Sequence, residues 1–303
     1  MPAPVEGLTA NPLVISALSR CTFPLPGTAV TCAVSGGADS MALLILSVAQ
    51  GCRVKAIHVD HGLRPNSSLE ANYVREFASR LGASFDSKKV HVESGSNLEA
   101  RARQARYNVL PRDVLTGHTA DDQAETVLIN LLRGSGLPGL SGMRPDHQHP
   151  LLLLRRAETR ALCKAMNVEV VNDPSNDDPQ FQRNRIRHEL LPLLDELAKR
   201  DIAALLARQA DILRSDSDLL DELATHLDPT DARQLVAAPV ALARRAIRAW
   251  IASPYPPDAA TVERVLTVAS GEVTACDIGD GRQVRRSHQH LRIVPAHQPL
   301  NIS

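Results

Sequence analysis

Residues 29–34, Ala29-Val30-Thr31-Cys32-Ala33-Val34, form a short apolar, β-branched run that stops at Ser35-Gly36-Gly37. Met41-Ala42-Leu43-Leu44-Ile45-Leu46 follows almost at once. The first run reads as a buried strand and the second as a buried helix, so only a glycine turn separates them. Two adjacent glycines let the backbone turn tightly and let another backbone or a ligand approach closely. A chain that begins this way is committed to strand–turn–helix units.

The same texture continues. Val54-Lys55-Ala56-Ile57-His58-Val59 reads as a second strand, and residues 67–81 as an amphipathic helix ending before Gly82. Residues 97–110 read as an Arg- and Ala-rich helix closed by Pro111, and Asp113-Val114-Leu115-Thr116 as a short strand leading into Gly117-His118. Alternation at this spacing predicts an α/β domain with a doubly wound parallel sheet and helices on both faces. Ligands in such sheets sit outside the carboxyl ends of the strands, where the glycine turn and Gly117-His118 would both lie.

From about Arg183 the sequence turns to Leu/Ala/Arg helices. Residues 202–227 predict one long helix or two, and residues 241–251 another, ended by Ser253-Pro254-Tyr255-Pro256-Pro257. Residues 273–294 carry short β-like runs around Asp280-Gly281, a hairpin turn. The expected division is a catalytic domain over 1–200 and a mostly helical domain with a short C-terminal hairpin over 201–303.

Composition narrows the function. Aromatic residues make up 3% of the chain and hydrophobic residues 44%, so the core must be aliphatic. A chain of 303 residues buries such a core without staples. Cys21, Cys32, Cys52, Cys163 and Cys276 are scattered with no CxxC pair, which points away from a zinc site or a redox dithiol. No basic-then-apolar leader and no apolar run of about 20 residues is present, so a cytoplasmic protein without membrane contact is expected. Lys plus Arg and Asp plus Glu number 34 each, so any nucleic-acid contact must rest on local clusters.

Ser35-Gly36-Gly37-Ala38-Asp39-Ser40 is the first candidate site. A helix N-terminus behind a glycine turn offers free N–H groups and a positive dipole end to phosphate oxygens. No Lys follows the glycines, so this is not the phosphate loop of ordinary NTPases. Asp39 beside a pyrophosphate implies an intervening Mg²⁺; the competing reading is a helix cap. Asp121, Asp122 and Glu125 open a later helix, and Asp122 and Glu125 share a face. That pair suits an ammonium group, or else only caps the helix, with Glu125 completing a box. Arg183, Arg185 and Arg187 form a basic run around Asn184, suited to phosphates or a carboxylate, or simply a solvated face.

The string Ser35–Ser40 is similar to the pyrophosphatase-loop signature of synthetases that cleave ATP to AMP and pyrophosphate. Asp60-His61-Gly62-Leu63-Arg64-Pro65 follows, then Asn97-Leu98-Glu99-Ala100-Arg101 with Arg106-Tyr107. Gly117-His118-Thr119-Ala120-Asp121-Asp122-Gln123-Ala124-Glu125-Thr126 runs on to Leu132-Arg133-Gly134-Ser135-Gly136 and to Gly139, Leu140 and Met143. Asp173-Pro174-Ser175-Asn176 and Arg183-Asn184-Arg185-Ile186-Arg187 complete the series. In this order, over roughly 28–195, the motifs resemble the tRNA(Ile)-lysidine synthetase family.

The resemblance implies an ATP- and Mg²⁺-dependent ligase that joins L-lysine to C2 of the wobble cytidine of an isoleucine tRNA with a CAU anticodon. It implies that Ser35, Gly36, Gly37, Ala38, Asp39, Ser40 and His118 serve the nucleotide, with Asp39 also holding the metal. Asp122 and Glu125 would take lysine, Arg101 would orient substrate, and Asp60, Arg64, Arg133, Arg183, Asn184, Arg185 and Arg187 would face substrate or tRNA. The region carrying Arg244, Arg245, Arg248, Arg282, Arg285, Arg286, His288, His290 and Arg292 would help hold the tRNA stem by its backbone phosphates. No obligate protein partner is implied. Two departures stand out: His149-Pro150-Leu151-Leu152 replaces a frequent Arg-Pro-Leu-Leu, and a sequence ending at Ser303 is expected to lack the extra C-terminal domain of longer members. The rival readings are a tRNA thiolation enzyme on the same loop, an amidotransferase synthetase, and a nucleotide-binding regulator without catalysis.

Overall fold

The computed structural model describes residues 5–60, 67–90, 101, 105, 108–171 and 178–296. The chain forms two compact units, residues 1–212 and 213–303. Their boundary falls inside one helix, Ile202–Ala224, which begins just after the non-helical residues 199–201.

In the first unit, helices α1 (Val5–Thr9) and α2 (Pro12–Leu18) precede strand β1 (Ala29–Ala33). Then come α3 (Ala38–Ala49), β2 (Arg53–Asp60), α4 (Ser67–Arg80) and β3 (Ser84–Lys89). The strands are parallel in the order β1-β2-β3. Residues 113–116, expected as a strand, make one parallel bridge from Leu115 to Cys32 of β1, with Leu115 N–H donating to Thr31 O (2.8 Å). Thr116 N–H then donates outward to Gln148 O (2.8 Å), so an irregular segment takes the ladder's free edge.

Chain order therefore reverses at β1. β2 lies on one side of it and Leu115 on the other, which opens a crevice at the carboxyl ends where α/β sheets bind ligands. The core explains why β1 and α3 must lie here. Cys32 and the whole run from Met41 to Leu46 are inaccessible to solvent and pack with Val54, Ala56, Leu115, Leu151 and Leu154.

Helix α5 (Ala120–Leu132), the short α6 (Leu137–Leu140) and α7 (Arg156–Ala165) follow. α7 lies along α3, with Cys163 Sγ donating to Ala38 O (3.4 Å). α8 (Gln182–Arg185) runs into a π-helical turn (Ile186–Leu190) and then α9 (Leu191–Ala198). The long helix α10 (Ile202–Ala224) settles the open question over 202–227 in favour of one helix.

The second unit packs α11 (Ala232–Ala237), α12 (Val240–Trp250) and α13 (Ala259–Ser270) against a sheet of β4 (Ala275–Gly279), β5 (Arg282–Ser287) and β6 (His290–Pro295). The expected hairpin is present, with Asp280 (φ 52°) and Gly281 (φ 67°) both left-handed at its turn. A third antiparallel strand, β6, extends it. None of the described helices is long and apolar enough to cross a membrane.

Candidate active site

The glycine turn after β1 is held by its own hydroxyls. Ser35 N–H donates to Ser40 Oγ (3.1 Å), and Ser40 Oγ donates to Gly37 O (2.9 Å). Gly36 takes φ +93°, a conformation that L side chains rarely adopt, and its carbonyl accepts from Val171 N–H (3.0 Å). Gly37 is the N-cap of α3 and makes no side-chain cap bond, so no cap side chain satisfies the first-turn amides of α3.

Asp39 does not cap this helix. Its carboxylate points away to α7, where Oδ1 accepts from Thr159 Oγ1 and Oδ2 pairs with Arg156 Nε (3.4 Å). Burial raises the Asp39 carboxyl above its ordinary value, and the nearby charge of Asp122 adds to the rise. The Thr159 hydrogen bond and Arg156 oppose it.

Opposite, α5 begins after Thr119. Asp122 rather than Glu125 closes its cap: Asp122 Oδ2 accepts from Thr119 N–H (2.8 Å) and from Thr119 Oγ1 (2.9 Å). Glu125 is fully buried, and three arginines surround it. Arg187 Nε donates to Oε1 (2.7 Å) and Arg187 Nη2 to Oε2 (3.1 Å); Arg183 Nε donates to Oε2 (2.7 Å). Arg156 Nη1 and Nη2 both reach Oε1 (3.2 Å), and Nη2 also reaches Asp122 Oδ1 (3.0 Å).

Arg156 is thus common to both halves of the site. One guanidinium touches Asp39 of the glycine loop and the Asp122–Glu125 pair. Burial alone would push the Asp122 carboxyl up, yet Arg156, His118, Arg183 and the Thr119 N–H together hold it down at about 2. Three acids and three arginines balance in charge.

Other expected residues divide. Arg101 is half-buried, and its Nε and Nη2 have no hydrogen-bond partner among the described residues. His118 lies near Asp122, bonds Thr116 Oγ1 through Nδ1 (2.7 Å) and stacks obliquely on His149 at 5.3 Å. Asp60 is buried at the carboxyl end of β2. Asn184 is buried, with Nδ2 donating to Asp178 O (2.9 Å). Arg185 points to solvent and pairs with Glu189 (3.0 Å), while Arg133 ends α5 at the surface. His61, Arg64, residues 97–100, Arg106, Tyr107 and residues 173–176 lie outside the described residues.

Sequence reasoning passed over Arg155, Arg156 and Thr159. The signal was there: two arginines stand at the start of a helix, where the dipole disfavours cations. Acids must hold them in place. Asp121 does so, accepting from Arg155 Nε (3.0 Å), Arg155 Nη2 (2.9 Å) and the Arg156 N–H (2.7 Å).

A family model described as the PP-loop domain matches residues 13–194. A tRNA(Ile)-lysidine synthase of Nocardia farcinica is 45% identical over 245 residues, covering 75% of this chain and 77% of that protein. One from Rhodococcus erythropolis is 43% identical over 243 residues, covering 75% and 74%. The chain belongs to the tRNA(Ile)-lysidine synthase family. Among solved structures, a U34-tRNA thiolase from Methanococcus maripaludis superposes with a TM-score of 0.49 at 17% identity, over 69% of this chain and 80% of that one.

Members of the tRNA(Ile)-lysidine synthase family are ATP-dependent ligases built on a PP-loop, and this chain is one of them. Ser35–Ser40 lies within the matched PP-loop domain, at the start of α3, and a helix start of this kind suits phosphate oxygens. Among the described residues no group of three or more His, Cys, Asp or Glu could hold a metal ion; Asp39 offers one carboxylate, which suffices for Mg²⁺ only where water and phosphate oxygens fill its other positions.

Proposed function

We propose that this chain ligates L-lysine to C2 of the wobble cytidine of the CAU-anticodon isoleucine tRNA, changing the codon read from AUG to AUA. ATP bound at Ser35–Ser40 adenylates the cytidine carbonyl oxygen, and the lysine side-chain amine then displaces AMP. Asp39 holds Mg²⁺, which supplies charge neutralisation for the departing pyrophosphate. Asp122 Oδ1 and Glu125 Oε1 receive the ammonium, Arg101 orients substrate, and Arg183 and Arg187 steady the carboxylates. The reaction is cytoplasmic and needs no protein partner.

The observation that carries this reading is the single guanidinium linking Asp39 to Asp122 and Glu125. The nucleotide loop and the acid pair lie within one side chain's reach, so an amine held by the acids can meet an activated base. A nucleotide-binding regulator requires no such arrangement. A thiolation enzyme requires a reactive thiolate, whereas burial pushes Cys21, Cys32 and Cys163 up to about 12.

Radiolabelled lysine incubated with ATP and total tRNA tests the proposal. Label is expected in one isoleucine tRNA, with AMP and pyrophosphate released. ATP turnover without lysine entering tRNA would refute it.

A further inference from the structure

The three arginines around Glu125 are not equivalent. Arg187 already meets both carboxylate oxygens, and Arg183 adds a second bond to Oε2. Arg156 only shares Oε1 with Arg187, at the longer distance of 3.2 Å. Its departure would leave Glu125 with three hydrogen bonds and no orphaned charge. Asp122 differs: Oδ2 is taken by Thr119, and Arg156 Nη2 at 3.0 Å is the shortest cationic contact to Oδ1. Arg183 and Arg187 stand farther off, at 3.5 and 3.7 Å. The Arg156 guanidinium therefore occupies the position an ammonium would take between Asp122 Oδ1 and Glu125 Oε1. Of these three arginines, it alone also pairs with Asp39.

We propose that Arg156 is a coupling residue: it fills the amine site in the free protein and leaves it when magnesium nucleotide binds at Asp39, so that nucleotide and lysine tighten each other's binding. This rests on the function proposed above. A nucleotide at the PP-loop brings phosphate oxygens within the range of a guanidinium that already touches Asp39. Coordination of a cation by Asp39 removes the acid that holds Arg156 Nε. Both changes loosen Arg156 from Asp122 and Glu125, leaving Asp122 Oδ1 without its nearest cation. Lysine supplies it. Because coupling between two sites is reciprocal, lysine must tighten the nucleotide by the same factor. A ligand can shift such an equilibrium only by its differential affinity for the two arrangements, and here competition for one side chain provides it.

Calorimetric titration of L-lysine into the full chain, with and without magnesium and an ATP analogue that cannot be cleaved between its α and β phosphates, is the test. For the wild type, the analogue is expected to lower the lysine Kd on the order of tenfold, within the ordinary range of such couplings. For Arg156→Gln, lysine should bind without the analogue about as tightly as to the wild-type nucleotide complex, and the factor should fall to about one. Asp39→Asn removes the other anchor of the same guanidinium, so its nucleotide-free lysine Kd should also fall below that of the wild type. Coupling in Arg156→Gln equal to wild type, with lysine still bound, overturns this inference and leaves the proposed function standing. Should Arg156→Gln not fold, an Asp39→Asn Kd unchanged from wild type overturns it equally. No lysine binding in any condition would remove the amine site itself, and both readings with it.

Discussion

A Cβ atom built on Gly117 would stand 2.7 Å from the carbonyl oxygen of Asp39 and 3.1 Å from the amide nitrogen of Ser40. These are backbone atoms of the first turn of α3, which cannot swing aside as a long side chain can. The loop after Leu115 therefore presses directly on the turn proposed to receive phosphate. Gly117→Ala must displace one or the other by several tenths of an ångström. We expect a folded protein, with stability lowered by about 1–3 kcal/mol as for other overpacked sites. ATP–pyrophosphate exchange in the presence of tRNA should fall about 100-fold, the usual consequence of misplacing reacting groups by an ångström. Exchange at the wild-type rate would mean that the turn is not the phosphate site.

Glu125 is the least accessible acid in the site, and five donor atoms converge on it from three arginines. Removing one partner of a buried ion pair strands the others without compensation. Glu125→Ala should destabilise the chain by on the order of 3–5 kcal/mol. Urea unfolding followed by circular dichroism checks this. Arg185→Ala, two residues from Arg183 but directed at Glu189 in solvent, should leave the urea midpoint close to that of the wild type.

The contrast between Arg183 and Arg185 shows where sequence reading reaches its limit. Strand β1, the glycine turn and α3 were legible because an apolar run and two glycines admit few conformations. β3 was not: Ser84-Phe85-Asp86-Ser87-Lys88-Lys89 has one apolar residue, and Asp86 pairs with Lys55 (3.2 Å) and Lys88 (3.6 Å) instead. It forms one edge of the sheet, and edge strands carry charge to discourage further pairing. Asp39, Asp122 and Glu125 could be named because acids at helix starts follow strand ends. Arg156 carried only the signal of a cation at a helix start, which does not say which acids hold it, since its partners are 117, 34 and 31 residues away along the chain. In the basic run 183–187, helical spacing puts Arg183 and Arg187 on one face, but it does not say which way that face turns. Folding sorted it, sending Arg183 and Arg187 inward to Glu125 and Arg185 outward.

Acid titration should report Asp122. Its carboxyl is held at about 2, below the ordinary 3.8, so the unfolded chain binds its proton first as pH falls. The stability this group contributes is complete above pH 3.8 and is lost as pH drops through about 2. The difference corresponds to about 2 kcal/mol at 1.36 kcal/mol per pKa unit. In Asp122→Asn the slope of unfolding free energy against pH between about 4 and 2 should be shallower than in the wild type. An unchanged slope would mean that Asp122 is not the carboxylate stabilised by the arginines.

Asp39 runs the other way, and that separates function from stability at a single residue. Its carboxyl is raised by burial and by the neighbouring charge of Asp122, so the fold prefers it protonated relative to the unfolded chain. Ionisation of Asp39 therefore opposes folding as pH rises past the ordinary carboxylate value. Asparagine has the same shape, and its carbonyl oxygen can still accept from Thr159 Oγ1. Asp39→Asn should melt at the same temperature as the wild type or higher at neutral pH, measured without ligands. It should lose lysine transfer to tRNA by at least about 100-fold, since one charged contact to the developing pyrophosphate is gone. Asp39→Ala, which also removes the acceptor for Thr159, should be equally inactive without the gain in melting temperature. A marked fall in the melting temperature of Asp39→Asn would show that the acid is held for the fold. Retained transfer would show that it holds no metal.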